Sequence, residues 1–531
     1  MPTSKRNYPI GIGLFFLAVC LSLGVVGTGQ ADAGQDVREA PRAKYVFLFI
    51  GDGMGLAQRQ AAELYAAGRA GAKQPDLPHL TMSSFPVTGM ATTHPANALV
   101  TDSAAAGTAL ACGFKTSNGK LSTSADGAFS FKTVAEAAKE RGMKVGIVSS
   151  ANIDDATPAA FYAHQPLRSN YWEIAMQLAG SGFDYFGGGG MAGDRDFYRQ
   201  GRESPLEAAR RNGFRIATNR DELLALKPDG GRTIAYPQGA KGGTSMRYEI
   251  DRPDDQASLA DFTRKGIELL DDPRGFFMIV EGAKIDGACH VNDAATAIRD
   301  VIALDEAVAA ACAFLRQHPE DTTIVVTADH ETGGLTIVPG GLDCEGLYRR
   351  MKRQRTSQGL FLRGIEGLIQ LRADFAEAMV AIEECFGLMA NDDPDIAELR
   401  LKAEAGDPEA KAALGLVLRP SEFDALKRAW KMSLLDEEAR IADPEVRSLY
   451  GTYNPISVEC THVHNRKAGM AWMTYGHTGI PVPVSAVGAG QEIFGGYYDN
   501  TDVARKLMSL IGAEPQAVAS RVMEPVGAAA P

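Results

Sequence analysis

The stretch YVFLFIGDGMG, residues 45–55, joins a continuous apolar run to a polar turn that contains Asp52. An apolar run without alternating polar residues is typical of a strand that is buried on both faces of a parallel sheet. The stretch therefore predicts a central strand whose carboxyl end presents Asp52.

Four later stretches have the same plan, in which an apolar run ends in polar residues. They are KVGIVSSANIDDATPAAFYAH (144–164), FFMIVEGAKIDGACH (276–290), TTIVVTADHETGG (322–334) and VPVSAVGAG (482–490). Helical segments such as FKTVAEAAKERG lie between them. The alternation predicts an α/β fold, a three-layer α/β/α sandwich with a largely parallel central sheet. Ligands of such folds bind beyond the carboxyl ends of the strands, so the polar ends of these runs hold the candidate functional residues.

A helical segment interrupts this alternation. Residues 341–458 are rich in Leu, Ala, Glu, Lys and Arg at helical spacing. We expect one α/β domain formed by residues 34–340 and 459–531, with residues 341–458 as a helical, cap-like insertion. Because both ends of the insertion adjoin polar candidate residues, we expect it beside the functional site, as a lid, a specificity element or an oligomer contact.

The N-terminus has the features of a secretory signal. Lys5 and Arg6 precede the apolar run IGIGLFFLAVCLSLGVVG, and Ala31 and Ala33 form an A-x-A cleavage motif. We expect residues 1–33 to be removed after Ala33, which would make the mature protein periplasmic or secreted. A retained membrane anchor is the alternative. No other stretch approaches roughly 18–20 uncharged apolar residues, so we expect no membrane span in the mature protein.

The composition excludes some partners. The 531 residues carry a formal net charge of −12 and no basic run, which argues against nucleic acid as a partner. An anionic substrate remains compatible with this charge, because a bound metal ion reverses the local charge. Six cysteines follow the signal and could pair in an oxidising compartment. None belongs to a C-x-x-C motif, so we expect no zinc site made of cysteines.

Acidic residues and histidines occur in metal-ligand patterns at the strand ends. His290 follows Asp286 by four residues, which would place both on one face of a helical turn. Asp329 and His330 are adjacent at the end of another strand, and His477 lies among turn residues. Sets of Asp and His ligands suit zinc.

A further set offers oxygen atoms only. Asp52, Thr157 and Glu281 would suit magnesium. Each of these residues taken alone is more often a helix cap or a surface group than a ligand. In THVHN, His462 and His464 alternate as on one face of a strand, and this pattern alone does not indicate metal binding.

The stretch LVTDSAAAGTA, residues 99–109, contains Ser103 before alanines that favour a helix. Serine and aspartate are common at the position before a helix, so Ser103 could be an N-cap. It could also be a nucleophile at a helix N-terminus, where backbone N–H groups attract an anion. The stretch alone leaves both interpretations open.

Six stretches resemble, in this order, motifs of the alkaline phosphatases: FIGDGMG, VTDSAAAGTALACGFKT, DDATPAAFYAH, EGAKIDGACH, TADHETGG and YGHTGIPVPV. The resemblance spans roughly residues 44–340 and 460–500 and does not cover the helical insertion. It implies an enzyme that hydrolyses phosphate monoesters through a phosphoserine and that holds two zinc ions and one magnesium ion. The resemblance leaves open whether the chain forms a homodimer.

The resemblance also implies roles for individual residues. Ser103 is expected to be the nucleophile, Arg168 to bind phosphate, and Asp102 to orient Arg168. The expected ligands are Asp286, His290 and His477 for one zinc, Asp52, Asp329 and His330 for the other with Ser103 alongside, and Asp52, Thr157 and Glu281 for magnesium with Asp155 acting through water. Two zinc ions about 4 Å apart can clamp the attacking and leaving oxygens, so a metal rather than a histidine base would activate the serine.

Gly287 departs from the family, in which the residue after the first zinc aspartate is often a Lys, His or Trp that contacts phosphate. Alternative functions are a phosphodiesterase or other hydrolase of the same superfamily, or a non-catalytic protein that binds phosphate or metal. A sulfatase should have x-Pro-x-Arg after the nucleophile, whereas three alanines follow Ser103. Nucleotide phosphodiesterases usually lack a third metal site, which Thr157 and Glu281 would supply here.

Overall fold

The computed structural model describes residues 43–72, 77–196, 201–237, 245–338 and 341–519, so the expected signal segment, residues 1–33, lies outside the described residues. The strands are β1 (Tyr45–Gly51), β2 (Val87–Thr92), β3 (Phe129–Phe131), β4 (Lys144–Ser149), β5 (Tyr185–Gly188), β6 (Phe214–Ala217), β7 (Arg232–Ala235), β8 (Phe276–Gly282), β9 (Thr322–Ala328), β10 (Glu331–Thr332), β11 (Thr336–Ile337), β12 (Met470–Ala471), β13 (His477–Thr478), β14 (Val482–Gly488), β15 (Gly496–Asp499) and β16 (Ala517–Ala519).

The helices are α1 (Leu56–Arg69), α2 (Ser103–Cys112), α3 (Val134–Glu140), α4 (Ala156–Ala159), α5 (Tyr171–Gly180), α6 (Ala192–Asp196), α7 (Pro205–Arg211), α8 (Arg220–Ala225), α9 (Leu259–Leu270), α10 (Lys284–His290), α11 (Ala294–Leu315), α12 (Cys344–Met351), α13 (Gln358–Gln370), α14 (Phe375–Phe386), α15 (Ile396–Glu404), α16 (Pro408–Gly415), α17 (Pro420–Ser433), α18 (Glu437–Ala442), α19 (Pro444–Tyr450), α20 (Pro455–Lys467) and α21 (Thr501–Leu510).

One large sheet organises the described residues. Its ten strands follow the order β15-β2-β14-β9-β1-β8-β4-β5-β7-β6. Only β14 is antiparallel to its neighbours, β2 and β9, and every other pairing in this sheet is parallel. Two groups of helices flank the sheet, one around α9 and α11 and the other around α2, α3 and α21. The predicted α/β fold with a largely parallel sheet is confirmed.

The central strands are buried along their whole length, as their apolar sequences predict. All seven residues of β1, β8 and β9 are buried. β1 pairs in register with both neighbours, so that Gly51 lies opposite Gly282 and Ala328. The three carboxyl ends therefore meet at one edge of the sheet, and the residues that follow them are brought together.

Helices α13, α14, α17, α19 and α20 enclose a second hydrophobic core. Its largest side chains include Phe361, Phe386 and Trp430. By contrast, α12 packs on α1 and contributes to the core of the sheet. Helix α20 extends past residue 458, the expected end of the insertion, and packs into the second core on both sides of that residue.

The stretch THVHN belongs to helix α20, so the strand-like interpretation of His462 and His464 is wrong. The apolar residues Ile456, Cys460 and Val463 pack into the second core, and their spacing of four and three residues is the spacing of one helix face. Burial of this face, rather than the alternation of the two histidines, determines the local structure.

The six cysteines that follow the signal are all described, and none of them forms a disulfide. Four are buried, which is typical of cysteines that pack as small apolar side chains. Within the described part of the chain, every helix is too short or too polar to traverse a lipid bilayer.

Candidate active site

The carboxyl ends of β1 and β9 assemble a first group of acidic and imidazole side chains. Asp52 follows β1, and Asp329 and His330 follow β9. His330 Nε2 lies 3.4 Å from Asp52 Oδ1 and 3.2 Å from Asp329 Oδ2. The backbone N–H of Gly53, at 3.2 Å, and that of His330 donate to Asp329 Oδ1. These bonds leave the other Asp329 oxygen facing His330, in a set of three residues that could hold a metal ion.

A second group adjoins the first. Helix α10 carries Asp286 and His290 one turn apart, as their spacing predicts, with His290 Nε2 3.2 Å from Asp286 Oδ2. His477 comes from β13, which pairs with β10. His477 Nε2 lies 3.1 Å from His290 Nε2 and 3.7 Å from Asp286 Oδ1. Asp286, His330 and His477 form a second set of three residues that could hold a metal ion, so His330 belongs to both sets. His290 lies outside this set but contacts two of its members, Asp286 and His477.

Backbone carbonyls determine which ring nitrogens of the second group are free. Tyr475 O lies 2.5 Å from His290 Nδ1, and Thr101 O lies 2.8 Å from His477 Nδ1. A carbonyl can only accept, so each Nδ1 carries a proton, and in the neutral ring each Nε2 presents a lone pair. Two lone pairs then face each other across 3.1 Å, an arrangement that a cation between them would stabilise.

The carboxylates of the site are crowded and buried. Burial and the charge of Asp329 raise the pKa of Asp52, and burial and the charge of Asp286 raise the pKa of Asp329 to about 7. Asp52 Oδ1 and Asp329 Oδ2 have no hydrogen-bond partner among the described residues. Because an unpaired buried charge is costly, these oxygens fit divalent cations, whose positive charge would compensate them.

The oxygen-only set adjoins Asp52, since the charge of Glu281 contributes to the raised pKa of Asp52. Glu281 is the last residue but one of β8, and its carboxylate accepts a hydrogen bond from Ser149. Burial, together with the charges of Asp155 and Asp329, raises the pKa of Glu281 to about 8. The hydroxyl of Thr157, in the short helix α4, is buried and has no hydrogen-bond partner among the described residues. A hard cation with oxygen ligands fits this donor set.

Ser103 is the first residue of α2, and Asp102 is its N-cap, with a side chain that accepts from Ala105 N at 3.0 Å. The N-cap interpretation therefore applies to Asp102 rather than to Ser103. Ser103 Oγ lies 3.5 Å from His330 Nε2, and Ser103 is only 4% exposed. A Cβ on Gly107 would lie 3.1 Å from Ala160 Cβ, so the small residues of α2 allow its close approach to the segment that carries Thr157.

Arg168 lies beside the serine and is held by two carboxylates. Its Nη1 is 3.3 Å from Asp102 Oδ2, and its Nη2 is 3.4 Å from Asp155 Oδ1. Burial alone would lower the pKa of Arg168, but the charges of Asp155 and Asp102 raise it, so the guanidinium stays charged. About a third of the side chain is exposed, and it can donate to an anion next to Ser103.

Sequence reasoning did not single out Gly53 or Thr332. Gly53 has φ +71°, and a Cβ there would lie 3.0 Å from Asp286 Oδ1. Thr332 Oγ1 donates to Asp286 Oδ1 at 2.5 Å and lies 3.2 Å from His330 Nδ1. Both residues lie close to candidate ligands within FIGDGMG and TADHETGG, and that proximity is the only signal that the sequence offers.

The space beside Gly287 is occupied by Tyr248. A Cβ on Gly287 would lie 2.8 Å from the Tyr248 hydroxyl oxygen. The ammonium of Lys284 lies 3.9 Å from the centroid of the Tyr248 ring. A side chain at position 287 would therefore displace Tyr248, and Lys284 packs on that ring instead of replacing the missing side chain.

The chain matches the family model of alkaline phosphatase over residues 43–512. It is 30% identical over 516 residues to alkaline phosphatase 3 of Bacillus subtilis (strain 168), which covers 96% of this chain and 97% of that protein. Among solved structures, a cold-active alkaline phosphatase from the psychrophile Shewanella sp. has a TM-score of 0.67 at 28% identity, covering 88% of this chain and 99% of that chain. The alkaline phosphatase of Thermus thermophilus has a TM-score of 0.70 at 25% identity, covering 93% and 97%.

The family match spans the sheet, the serine helix and the helical segment alike, and relatives of full length share the fold. Alkaline phosphatases are metal-dependent hydrolases, in agreement with the two sets of metal-ligand residues described above. The chain therefore belongs to the alkaline phosphatase family.

Proposed function

We propose that the protein hydrolyses phosphate monoesters to an alcohol and inorganic phosphate, with Ser103 as the nucleophile. The observation that carries this proposal is the position of Ser103 Oγ. It lies at the N-terminus of a helix, 3.5 Å from the Nε2 that the two metal-ligand groups share. Helix N-termini favour anions, and Arg168 adds a charged donor on the same side.

We further propose that the site holds two zinc ions and one magnesium ion. The proposed zinc ligands are Asp286, His290 and His477 for one ion and Asp52, Asp329 and His330 for the other; the proposed magnesium ligands are Asp52, Thr157 and Glu281, with Asp155 acting through water. The unpartnered oxygens of Asp52, Asp329 and Thr157 support this proposal. When bound, the zinc ions would supply positive charge that lowers the pKa of the Ser103 hydroxyl and neutralises the leaving oxygen.

The proposed reaction has two displacements at phosphorus. Ser103 Oγ, having lost its proton, attacks phosphorus, the bond to the ester oxygen breaks, and the leaving alkoxide takes a proton to become the alcohol. Arg168 donates to two non-bridging oxygens throughout, held in orientation by Asp102 and Asp155. Water then attacks the phosphoserine, which releases inorganic phosphate and restores the serine. Ester and water thus become alcohol and phosphate.

We also propose that the catalytic domain comprises residues 34–340 and 459–531, with residues 341–458 as a cap-like insertion, and that the protein is exported. The separate core formed by α13, α14, α17, α19 and α20 supports the insertion. The charged, apolar and A-x-A features of residues 1–33 support export. The test is the N-terminal sequence of the protein recovered from the periplasm or medium. A start at Gly34 is expected, and a retained Met1 in the membrane fraction would contradict cleavage.

An activity panel tests the reaction. The zinc- and magnesium-loaded protein is assayed with p-nitrophenyl phosphate and bis(p-nitrophenyl) phosphate. We expect kcat/KM to be higher for the monoester, and the opposite order would favour a phosphodiesterase. No activity on either ester would favour a protein that only binds phosphate or metal.

Acid quenching during turnover tests the nucleophile. Mass spectrometry of the quenched protein should detect phosphate on the peptide that contains Ser103. Ser103→Ala should abolish both the label and the activity, whereas Ser84→Ala, a change at an exposed serine outside the site, should alter neither. A labelled peptide elsewhere in the wild-type protein would refute the assignment.

A further inference from the structure

Asn292 joins three parts of the chain close to the metal-ligand residues. It lies two residues after His290 and is only 2% exposed. Its φ of +51° turns the chain sharply after α10, a conformation that Asn tolerates better than most residues. Its side-chain Nδ2 donates at 2.9 Å to both Cys289 O and Thr474 O. Asn292 therefore links the helix that carries His290 to the loop that leads to His477.

Helix α20 holds Asn292 from the opposite side. His462 Nε2 lies 3.0 Å from Asn292 Oδ1, and Asn465 Nδ2 donates to Asn292 O at 2.6 Å. The two donors of the Asn292 amide already point at carbonyls, so its Oδ1 is an acceptor and His462 Nε2 carries the proton. His462 and Asn465 are three residues apart, and one face of α20 thus supplies both contacts.

Tyr475 makes the second connection between the helical segment and the site. Its carbonyl lies 2.5 Å from His290 Nδ1. Its ring is nearly parallel to that of His462, with centroids 6.0 Å apart, and lies 5.6 Å from the ring of Tyr453. Its hydroxyl donates to Leu449 O at 2.6 Å. The carbonyl that orients His290 is thus attached to a side chain packed between α19 and α20.

We propose that Asn292, His462 and Tyr475 are positioning residues, through which α19 and α20 hold His290 and His477 in place and so slow the loss of metal. The inference rests on the proposed function only in that a metal ion binds Asp286, His290 and His477. His462 itself makes no contact with that group. Its role is to fix the amide of Asn292, which fixes the backbone at Thr474 and, one residue later, the carbonyl that His290 requires.

Substitutions of groups that orient metal-bound histidines typically cost 10- to 100-fold in metal affinity. His462 acts through one intermediate residue, so we expect His462→Ala to release zinc roughly tenfold faster than the wild-type protein. The measurement is the absorbance of pyridylazoresorcinol after it is mixed with the zinc-loaded, full-length protein. His462→Gln, whose side-chain amide can donate to Asn292, should restore most of the slow release.

His464→Ala is the matched control. His464 lies on the same helix and is buried, but its Nε2 lies 3.2 Å from Arg350 O, away from Asn292. We expect this variant to unfold at lower urea concentration while releasing zinc at the wild-type rate. The proposal is overturned if His462→Ala releases zinc within about twofold of wild type, or if His464→Ala accelerates release equally.

The readout separates this proposal from the proposed function, because zinc release is measured without substrate. A wild-type protein that binds zinc in a His462-dependent manner but hydrolyses no ester would refute only the proposed reaction. A wild-type protein that retains no zinc would overturn the positioning role. An active enzyme in which His462→Ala does not change the rate of zinc release would overturn the positioning role and leave the proposed reaction intact.

Discussion

Replacing Gly53 by alanine should weaken both the fold and the metal site. Gly53 follows Asp52 in the turn after β1 and has φ +71°. An L-residue in this left-handed region costs about 1–2 kcal/mol relative to glycine. That penalty alone would lower the free energy of unfolding by a similar amount, without any contact of the added methyl group.

The added Cβ would also meet the metal site. It would lie 3.0 Å from Asp286 Cα, Asp286 Oδ1 and Thr332 Oγ1. Two of these atoms belong to a proposed ligand, and the third donates to that ligand's carboxylate. A shift of a few tenths of an ångström must therefore move Asp286 relative to His290 and His477. We expect zinc affinity to fall about tenfold, or about 1.4 kcal/mol, with kcat/KM falling in parallel.

Gly71→Ala provides the matched control. Gly71 has φ +69°, almost the value of Gly53, yet no atom of the described residues lies within 4 Å of the position of its Cβ. Both variants are compared by urea unfolding after metal removal and by zinc competition with a chelator. Similar destabilisation is expected without metal, with weaker zinc binding only in Gly53→Ala. Equal zinc affinity in the two variants would refute the argument that Gly53 is required for the approach of Asp286.

Three further outcomes are expected. Arg168→Ala should lower kcat/KM for p-nitrophenyl phosphate roughly 10- to 100-fold, since a hydrogen bond to a charged group contributes about 1.5–3 kcal/mol. Zinc retained by the variant would show that the metal site is intact. An unchanged kcat/KM would contradict phosphate binding by Arg168. Exhaustive chelation should abolish activity and lower the free energy of unfolding by about 3–4 kcal/mol for metal previously present at 100 to 1,000 times its Kd, and a protein equally stable and active after chelation would contradict the metal site. Burial alone would raise the pKa of Asp499, but hydrogen bonds from Thr501, Thr92 and Lys115 lower it to about 2. The carboxylate of Asp499 therefore stabilises the fold above about pH 4, and this contribution is lost as the pH falls toward 2. In acid titrations followed by circular dichroism, Asp499→Asn should lose less stability than the wild-type protein over that interval.

The central strands could be predicted from sequence because burial on both faces requires a continuous apolar run. In β1, β8 and β9 every residue is buried, and the apolar runs show it directly. The strands near the edges of the sheet have a weaker apolar pattern. β15, for example, has the sequence GYYD with no fully buried residue, and its place in the sheet is determined by pairing with β2 rather than by its composition. The direction of β14 also depends on the path of the chain rather than on its own residues.

Asp52, Glu281 and Asp329 could be found because each lies at the end of an apolar run, and parallel strands in register bring these ends to one edge. His477 precedes the apolar strand β14, so this rule does not find it. The sequence cannot specify how each side chain is aimed. The alternation of His462 and His464 suggested a strand, although the helix buries the face formed by Ile456, Cys460 and Val463. Nor could the sequence show that Asp102, rather than Ser103, caps α2, since both residue types favour that position.

The orientation of His290 and His477, the proposed zinc ligands, depends on backbone atoms, which every residue has. Tyr475 O and Thr101 O fix the protons of His290 and His477, and a carbonyl oxygen has no signature in a sequence. What decides these contacts is the packing that brings the two carbonyls to the rings. At Tyr475 that packing comes from α19 and α20, the part of the chain with no motif of its own. Local sequence therefore identifies the residues that could bind metal. The orientation of His290 depends instead on the packing of Tyr475 against α19 and α20.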